Sequence, residues 1–284
     1  SCSHLLSLSP PLSPQTPNLS PSLPPNSESL SLSAGAIDYM AQRYDLDRVH
    51  LRGASAGGLA VTLAACGVRA LDAAEAAHAL SLERGIFDRP TGLAGVWGGV
   101  VRDWLDALLP HDAAARCAGR LKLVVTSVPS LQLRALDCFQ TRAELIDACL
   151  ASAHVPFFLD GRGAARFRGE RFVDGSLYDF LWRNNSELLE AGGDALVLDY
   201  CHDSELRFGR LDFLKRLDLD GAKALMASGA DYARRQEEAG VLERYLGAVK
   251  KVSMAEGGSG SSSGIILPSS AVGVIRTPEA GLAA

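Results

Sequence analysis

No run in this sequence approaches the roughly 20 consecutive apolar residues that cross a bilayer; the apolar stretch at 59–66 is short and stops at Gly67. Residues 1–33 also lack the charged start and apolar middle of a secretory signal, and the first residue is Ser rather than Met. Any membrane contact is therefore expected to be peripheral, the expected location is cytoplasmic, and the chain is expected to be a fragment or a shifted gene product. The six cysteines, at 2, 66, 117, 138, 149 and 201, form no Cys-x-x-Cys pair and do not alternate with histidine. That pattern argues against a zinc site and a disulfide framework, and suggests buried free thiols. A net charge of −5, with no basic stripe carrying interleaved aromatics, excludes a nucleic-acid surface.

What remains is ordinary for a soluble α/β domain: 47% of the 284 residues are hydrophobic and 21% charged, enough to bury a full core. Residues 1–33 are mostly Ser, Pro and Leu, with Pro at 10, 11, 14, 17, 21, 24 and 25, and are expected to be disordered. The Gly/Ser run at 256–264 reads as a flexible linker, so residues 254–284 are expected to be linker and tail and one domain to span 34–253. Inside it, Ile37, Met40, Ala41 and Tyr44 have helical spacing, followed by a strand at 49–51. Helices at 59–66 and 68–84, a strand at 121–128 ended by Pro129, and a hairpin partner near 134–139 come next. Thr141-x-x-Glu144 is a capping box opening a helix. Strands at 171–173 and 195–199 precede helices to about residue 250. This alternation predicts an α/β fold with a mainly parallel sheet between helical layers.

A serine hydroxyl attacks a carbonyl only if a base takes its proton and donors stabilise the oxyanion. Gly53-Ala54-Ser55-Ala56-Gly57 offers the serine: it follows a strand and opens an apolar helix, the setting in which Gly-x-Ser-x-Gly forms a sharp, strained elbow. Gly260-Ser261-Ser262-Ser263-Gly264 matches the same pattern but lies in the linker with neither flank. For the base, Asp174 in Phe172-Val173-Asp174-Gly175 ends a strand before a glycine. His50, His78, His111, His154 and His202 are all conceivable, and Ser55, Asp174 and His202 in that order would suit an α/β-hydrolase triad.

The pairing of Gly53-Ala54-Ser55-Ala56-Gly57 with Phe172-Val173-Asp174-Gly175 resembles the patatin-like phospholipase family, and the stretch 139–157 is similar to that family's helix and proline turn before its aspartate strand. The resemblance covers 34 to about 250; around Asp199-Tyr200-Cys201-His202 it is most similar to the acylglycerol lipase and transacylase branch. It implies a three-layer α/β fold and a Ser–Asp dyad without histidine, metal or organic cofactor. Ser55 would be the nucleophile, Asp174 its proton acceptor, the Ala56 backbone N–H an oxyanion donor, and Gly53, Gly57 and Gly175 motif positions. The implied partner is a fatty-acyl lipid at a membrane or lipid-droplet surface. The family's first strand and Gly-rich oxyanion loop are not recognisable before residue 34, so two alternatives stand beside the hydrolase: a non-catalytic lipid-binding protein, and the triad using His202. Arg162, Arg166, Arg168 and Arg171 read equally as a head-group patch or a solvated hairpin. Trp97, Trp104, Leu105, Leu108 and Leu109 read first as core, with an acyl pocket or a membrane-facing lid as the alternatives.

Overall fold

The computed structural model describes residues 22–23, 27–89, 94–177, 195–198, 217–251 and 272–275. Helix α1 (Ser27–Arg43) leads through a single 3-10 turn into strand β1 (His50–Ala54), which passes directly into helix α2 (Ser55–Ala65). Helices α3 (Ala70–Glu83), α4 (Trp97–Leu108) and the short α5 (Ala113–Cys117) follow. Strands β2 (Leu121–Ser127) and β3 (Leu133–Leu136) precede helix α6 (Arg142–Ser152). Then come β4 (Ala165–Phe167), β5 (Glu170–Asp174), β6 (Ala195–Leu198), helices α7 (Leu219–Glu238) and α8 (Val241–Leu246), and strand β7 (Val272–Ile275). Ser22–Leu23 and Leu217–Asp218 pair as a separate two-residue ladder.

The main sheet runs β4-β5-β2-β1-β7-β6, with β3 added to β2. Its β2-β1-β7-β6 half is parallel, whereas β5, β4 and β3 join antiparallel. The α/β class expected from the sequence holds, with a sheet that is parallel in one half and antiparallel at its edge. Two of the antiparallel pairings, β2–β3 and β4–β5, are short hairpins, which need no crossover helix, whereas β5 returns to β2 after α6. β2 has the near-continuous apolar pattern of a strand covered on both faces, and α2 is buried on ten of its eleven residues, which is why small side chains dominate it. α4 places Trp97, Val100, Val101, Trp104 and Leu105 on one buried stripe.

Two boundaries differ from the sequence expectation. α1 begins at Ser27 rather than near 34, inside the segment expected to be disordered. The last proline there is Pro25, and the residues after it form a face against α7, with Leu32 and Ser33 fully buried. The contact is backbone to backbone: a Cβ on Gly35 would lie 2.1 Å from the Met226 carbonyl oxygen, and one on Gly229 2.0 Å from that of Leu32. Residues 1–21 lie outside the described residues.

The second difference is β7. It comes from the tail expected to be flexible, yet it sits between β1 and β6, parallel to both, with Val274 opposite Arg52 and Val197. Val272, Val274 and Ile275 are strong strand formers. β7 is thus an interior strand, with β1 on one side and β6 on the other. Val274→Pro removes a ladder donor from an interior strand and is expected to lower the melting temperature and speed amide exchange along β1. Unchanged exchange at 50–54 would contradict the placement of β7.

Local expectations hold at the capping box. Thr141 Oγ1 accepts the Glu144 N–H at 3.1 Å, while the Glu144 carboxylate accepts from the Gln140 N–H, one residue before the cap. The basic cluster lies on an exposed hairpin: Arg168 sits in its turn, bonded to Glu144 at 2.7 Å, Arg166 and Arg171 face each other across the strands, and Arg162 approaches Asp160.

Candidate active site

Ser55 is the first residue of α2 and has φ +53°, a left-handed conformation that costs a non-glycine residue about 1–3 kcal/mol. The strand-to-helix turn forces it: β1 leads straight into α2, and a Cβ at Gly53 would lie 2.5 Å from the Gly57 carbonyl oxygen. Only glycine at 53 lets the turn close. Asp174 ends β5, and sheet register brings the two together. β2 lies between β1 and β5, with Ala54 opposite Val124 and Asp174 opposite Val125, so the residue after Ala54 and Asp174 occupy adjoining rungs. Gly175 follows with no room for a side chain, since its Cβ would lie 2.2 Å from the Val124 carbonyl oxygen.

Both side chains are buried, Ser55 at 6% and Asp174 at 2% exposure. The Asp174 carboxylate accepts the Ser176 N–H at 2.8 Å and the Ser176 hydroxyl at 2.6 Å, and the Ser55 hydroxyl lies near enough to favour its ionised form. Burial raises the Asp174 pKa above the ordinary carboxylate value; the Ser176 and Ser55 hydroxyls, the Ser176 N–H and nearby His154 pull against that rise. A desolvated carboxylate with a raised pKa is a stronger base than one in water, which is what a hydroxyl needs from a partner lacking an imidazole. Ala56 stands in the first turn of α2, where backbone N–H groups have no intrahelical partner and the helix dipole favours negative charge.

The sequence profile of the patatin-like phospholipases matches residues 31–181, more than half of the chain and a span that includes both Ser55 and Asp174. The chain belongs to the patatin-like phospholipase family. Mouse "1-acylglycerol-3-phosphate O-acyltransferase Pnpla3" is 32% identical over 79 residues, covering 28% of this chain and 19% of the mouse protein. Human "Patatin-like phospholipase domain-containing protein 2" is 31% identical over 133 residues, covering 46% of this chain and 26% of the human one. Human "Patatin-like phospholipase domain-containing protein 4" is 28% identical over 81 residues, covering 28% and 32% respectively. The matched stretches therefore span a third or less of these relatives' own lengths.

In this patatin-like chain the histidines sort by position. His50 is exposed at the start of β1, the end of the strand away from Ser55, and His111 is exposed before α5. His78 is half-buried on α3. His202 lies outside the described residues. His154 is the one beside the aspartate: it is 1% exposed, its carbonyl oxygen accepts the Asp174 N–H at 2.9 Å, and its Nε2 meets the Arg162 carbonyl oxygen at 3.1 Å. Ser176 and Ser152 are the polar neighbours that sequence reasoning did not single out. Ser176 follows the aspartate motif directly, and a hydroxyl at Asp+2 is a known local partner for a carboxylate, so a signal existed. Ser152 had none, because its contacts are with distant strands.

An apolar pocket opens beside the elbow, lined by Ala56, Leu59, Ala74, Trp97, Trp104 and Met226 among others. Trp97 and Trp104 are buried core residues that also form a wall of this pocket; Trp104 donates its indole N–H to the Ala73 carbonyl oxygen at 2.8 Å. Leu105 and Leu109 are core alone. Among the described residues no three His, Cys, Asp or Glu side chains cluster as metal ligands.

Proposed function

We propose that this chain is a serine lipid acyl hydrolase that cleaves fatty-acyl esters of acylglycerols or phospholipids. The single observation that carries this reading is Ser55, held in a left-handed elbow and set by sheet register beside the buried Asp174. Ser55 Oγ attacks the ester carbonyl carbon while its proton passes to Asp174, giving a tetrahedral oxyanion held by the Ala56 N–H. The C–O bond to the alcohol then breaks, Asp174 returns the proton to the leaving oxygen, and an alcohol or lysolipid departs from an acyl-enzyme. Water repeats the sequence with Asp174 as base and frees the fatty acid. An alcohol in place of water would make the same intermediate an acyl donor, a second reading that the acyltransferase name of the mouse relative favours.

The cavity supports the substrate class. Its Ala56 edge adjoins the nucleophile, and its wall is almost wholly apolar, which suits an alkyl chain running from the ester between α2, α3 and α4. On this reading the ester is met at a membrane or lipid-droplet surface, where acylglycerols and phospholipids reside.

Ala74, buried on α3, offers a test. Ala74→Phe fills the middle of the cavity and displaces three to four methylenes, each worth about 0.8 kcal/mol. Turnover of a sixteen-carbon p-nitrophenyl ester is expected to lose about 50- to 200-fold in kcat/KM. The four-carbon ester should stay within about threefold. Equal losses on both esters would separate the cavity from the acyl chain.

A further inference from the structure

We infer that Ser152 is a positioning residue for the Ser55–Asp174 pair, the hydroxyl that holds the nucleophile's elbow in register with the aspartate strand. The inference rests on the dyad reading above. Ser152 is the last residue of α6 and is fully buried. Its Oγ donates to the Val124 carbonyl oxygen at 2.7 Å and accepts the Ser55 N–H at 3.3 Å. Its own carbonyl oxygen accepts the Gly175 N–H at 3.3 Å, and two residues on, the His154 carbonyl oxygen accepts the Asp174 N–H. One turn at the end of one helix therefore bonds to the β1–α2 elbow, to the middle of β2, and to both residues at the end of β5.

These bonds act on the reacting geometry for a specific reason. Ser55 starts α2, so its N–H has no carbonyl within the helix to receive it. Its left-handed conformation is costly and persists only where the surroundings over-determine it. Ser152 supplies the acceptor for that N–H and is itself fixed from behind by Val124. The fit is close on the other side too, because a Cβ on Gly58 would stand 3.1 Å from the Ser152 Oγ. The side chain is neither substrate-facing nor titratable near neutral pH, so its contribution runs through the placement of Ser55.

Ser152→Ala leaves a buried N–H at Ser55 and a buried carbonyl at Val124 without their partner, and the elbow is free to relax. The test measures p-nitrophenyl ester hydrolysis by the full chain, with rates divided by the fraction of Ser55 that reacts with a fluorophosphonate probe. Misplacing a nucleophile by a fraction of an ångström to an ångström costs up to about 100-fold. The expected result for Ser152→Ala is a kcat per reactive site reduced by about 10- to 100-fold, with KM changed by less than about twofold. Ser152→Cys, which keeps a weaker donor and acceptor, is expected to fall between the two. A wild-type rate per reactive site in Ser152→Ala, with activity lost only through fewer folded molecules, would assign Ser152 a structural role and overturn the inference. Failure of both variants to fold would overturn it in the same way. A wild-type chain that does not react at Ser55, or a Ser55→Ala chain as active as wild type, would instead overturn the dyad reading and this inference with it.

Discussion

Asp174→Asn is expected to stop ester turnover while making the fold more stable. The two effects share one cause. Asp174 is buried, and burial favours its protonated form, so ionising it costs the folded state more than it costs the unfolded chain. With the folded pKa raised, the favourable contribution of the neutral carboxyl is complete below the unfolded value and is lost as pH rises through the folded value. Above the folded pKa the wild type bears that penalty. Asparagine removes it, and its carbonyl oxygen can still accept from the Ser176 N–H and hydroxyl, the bonds that now end on one Asp174 oxygen. The amide cannot take the Ser55 proton. Loss of a general base typically removes about 10² to 10⁴ of rate, so kcat/KM is expected to fall in that range while the melting temperature at pH 7 rises. The acid limb of the wild-type kcat/KM profile should lie above the ordinary carboxylate pKa of about 4 and be absent from Asp174→Asn. Activity with an unchanged acid limb in the variant would assign the base elsewhere.

Gly175→Ala is expected to be as damaging to the fold as Asp174→Asn is to the chemistry. The added Cβ would meet the Val124 carbonyl oxygen at 2.2 Å and the Ala54 Cβ at 3.1 Å. The first obstacle is backbone in an interior strand, which cannot rotate aside. Either β5 moves away from β2 or the β2–β1 ladder gives, and both choices separate Ser55 from Asp174. Overpacking where side chains can adjust costs about 1–3 kcal/mol; a backbone clash in the centre of the sheet is expected to exceed that range. Denaturant unfolding should show a midpoint well below wild type and little Ser55 reactivity. A variant with wild-type stability would mean that β5 lies farther from β2 than its ladder indicates.

How much of this was legible beforehand depended on how local each signal was. The elbow at Ser55, the glycine at 175 and the cap at Thr141 are written in residues that act on their immediate neighbours, so strand, turn and helix could be assigned around them. The aspartate was legible because its motif ends a strand and the pairing with Gly53-Ala54-Ser55-Ala56-Gly57 is distinctive. Ser152 was not, since a hydroxyl at a helix end has meaning only once β2 and the elbow are packed against it. The start of α1 was hidden by its Ser-rich composition, although Leu32, Ala36 and Ile37 bury their side chains with helical spacing. β7 was hidden differently: four residues beyond a Gly/Ser linker carry no trace of partners more than 200 positions earlier. The hairpin at 134–139 was legible from its position after Pro129, but the antiparallel return of β5 to β2 was not, because alternating helices and strands give connection order and not direction.

The proposed chemistry reduces to whether Ser55 is a nucleophile that depends on Asp174. Treating the folded full-length chain with a fluorophosphonate probe and locating the adduct by peptide mass spectrometry tests this most directly. The predicted result is one adduct on Ser55 in wild type, none in Ser55→Ala, and labelling slowed by at least about 100-fold in Asp174→Asn. An adduct on another residue of the folded wild-type chain, or Ser55 labelling at an undiminished rate in Asp174→Asn, would contradict it.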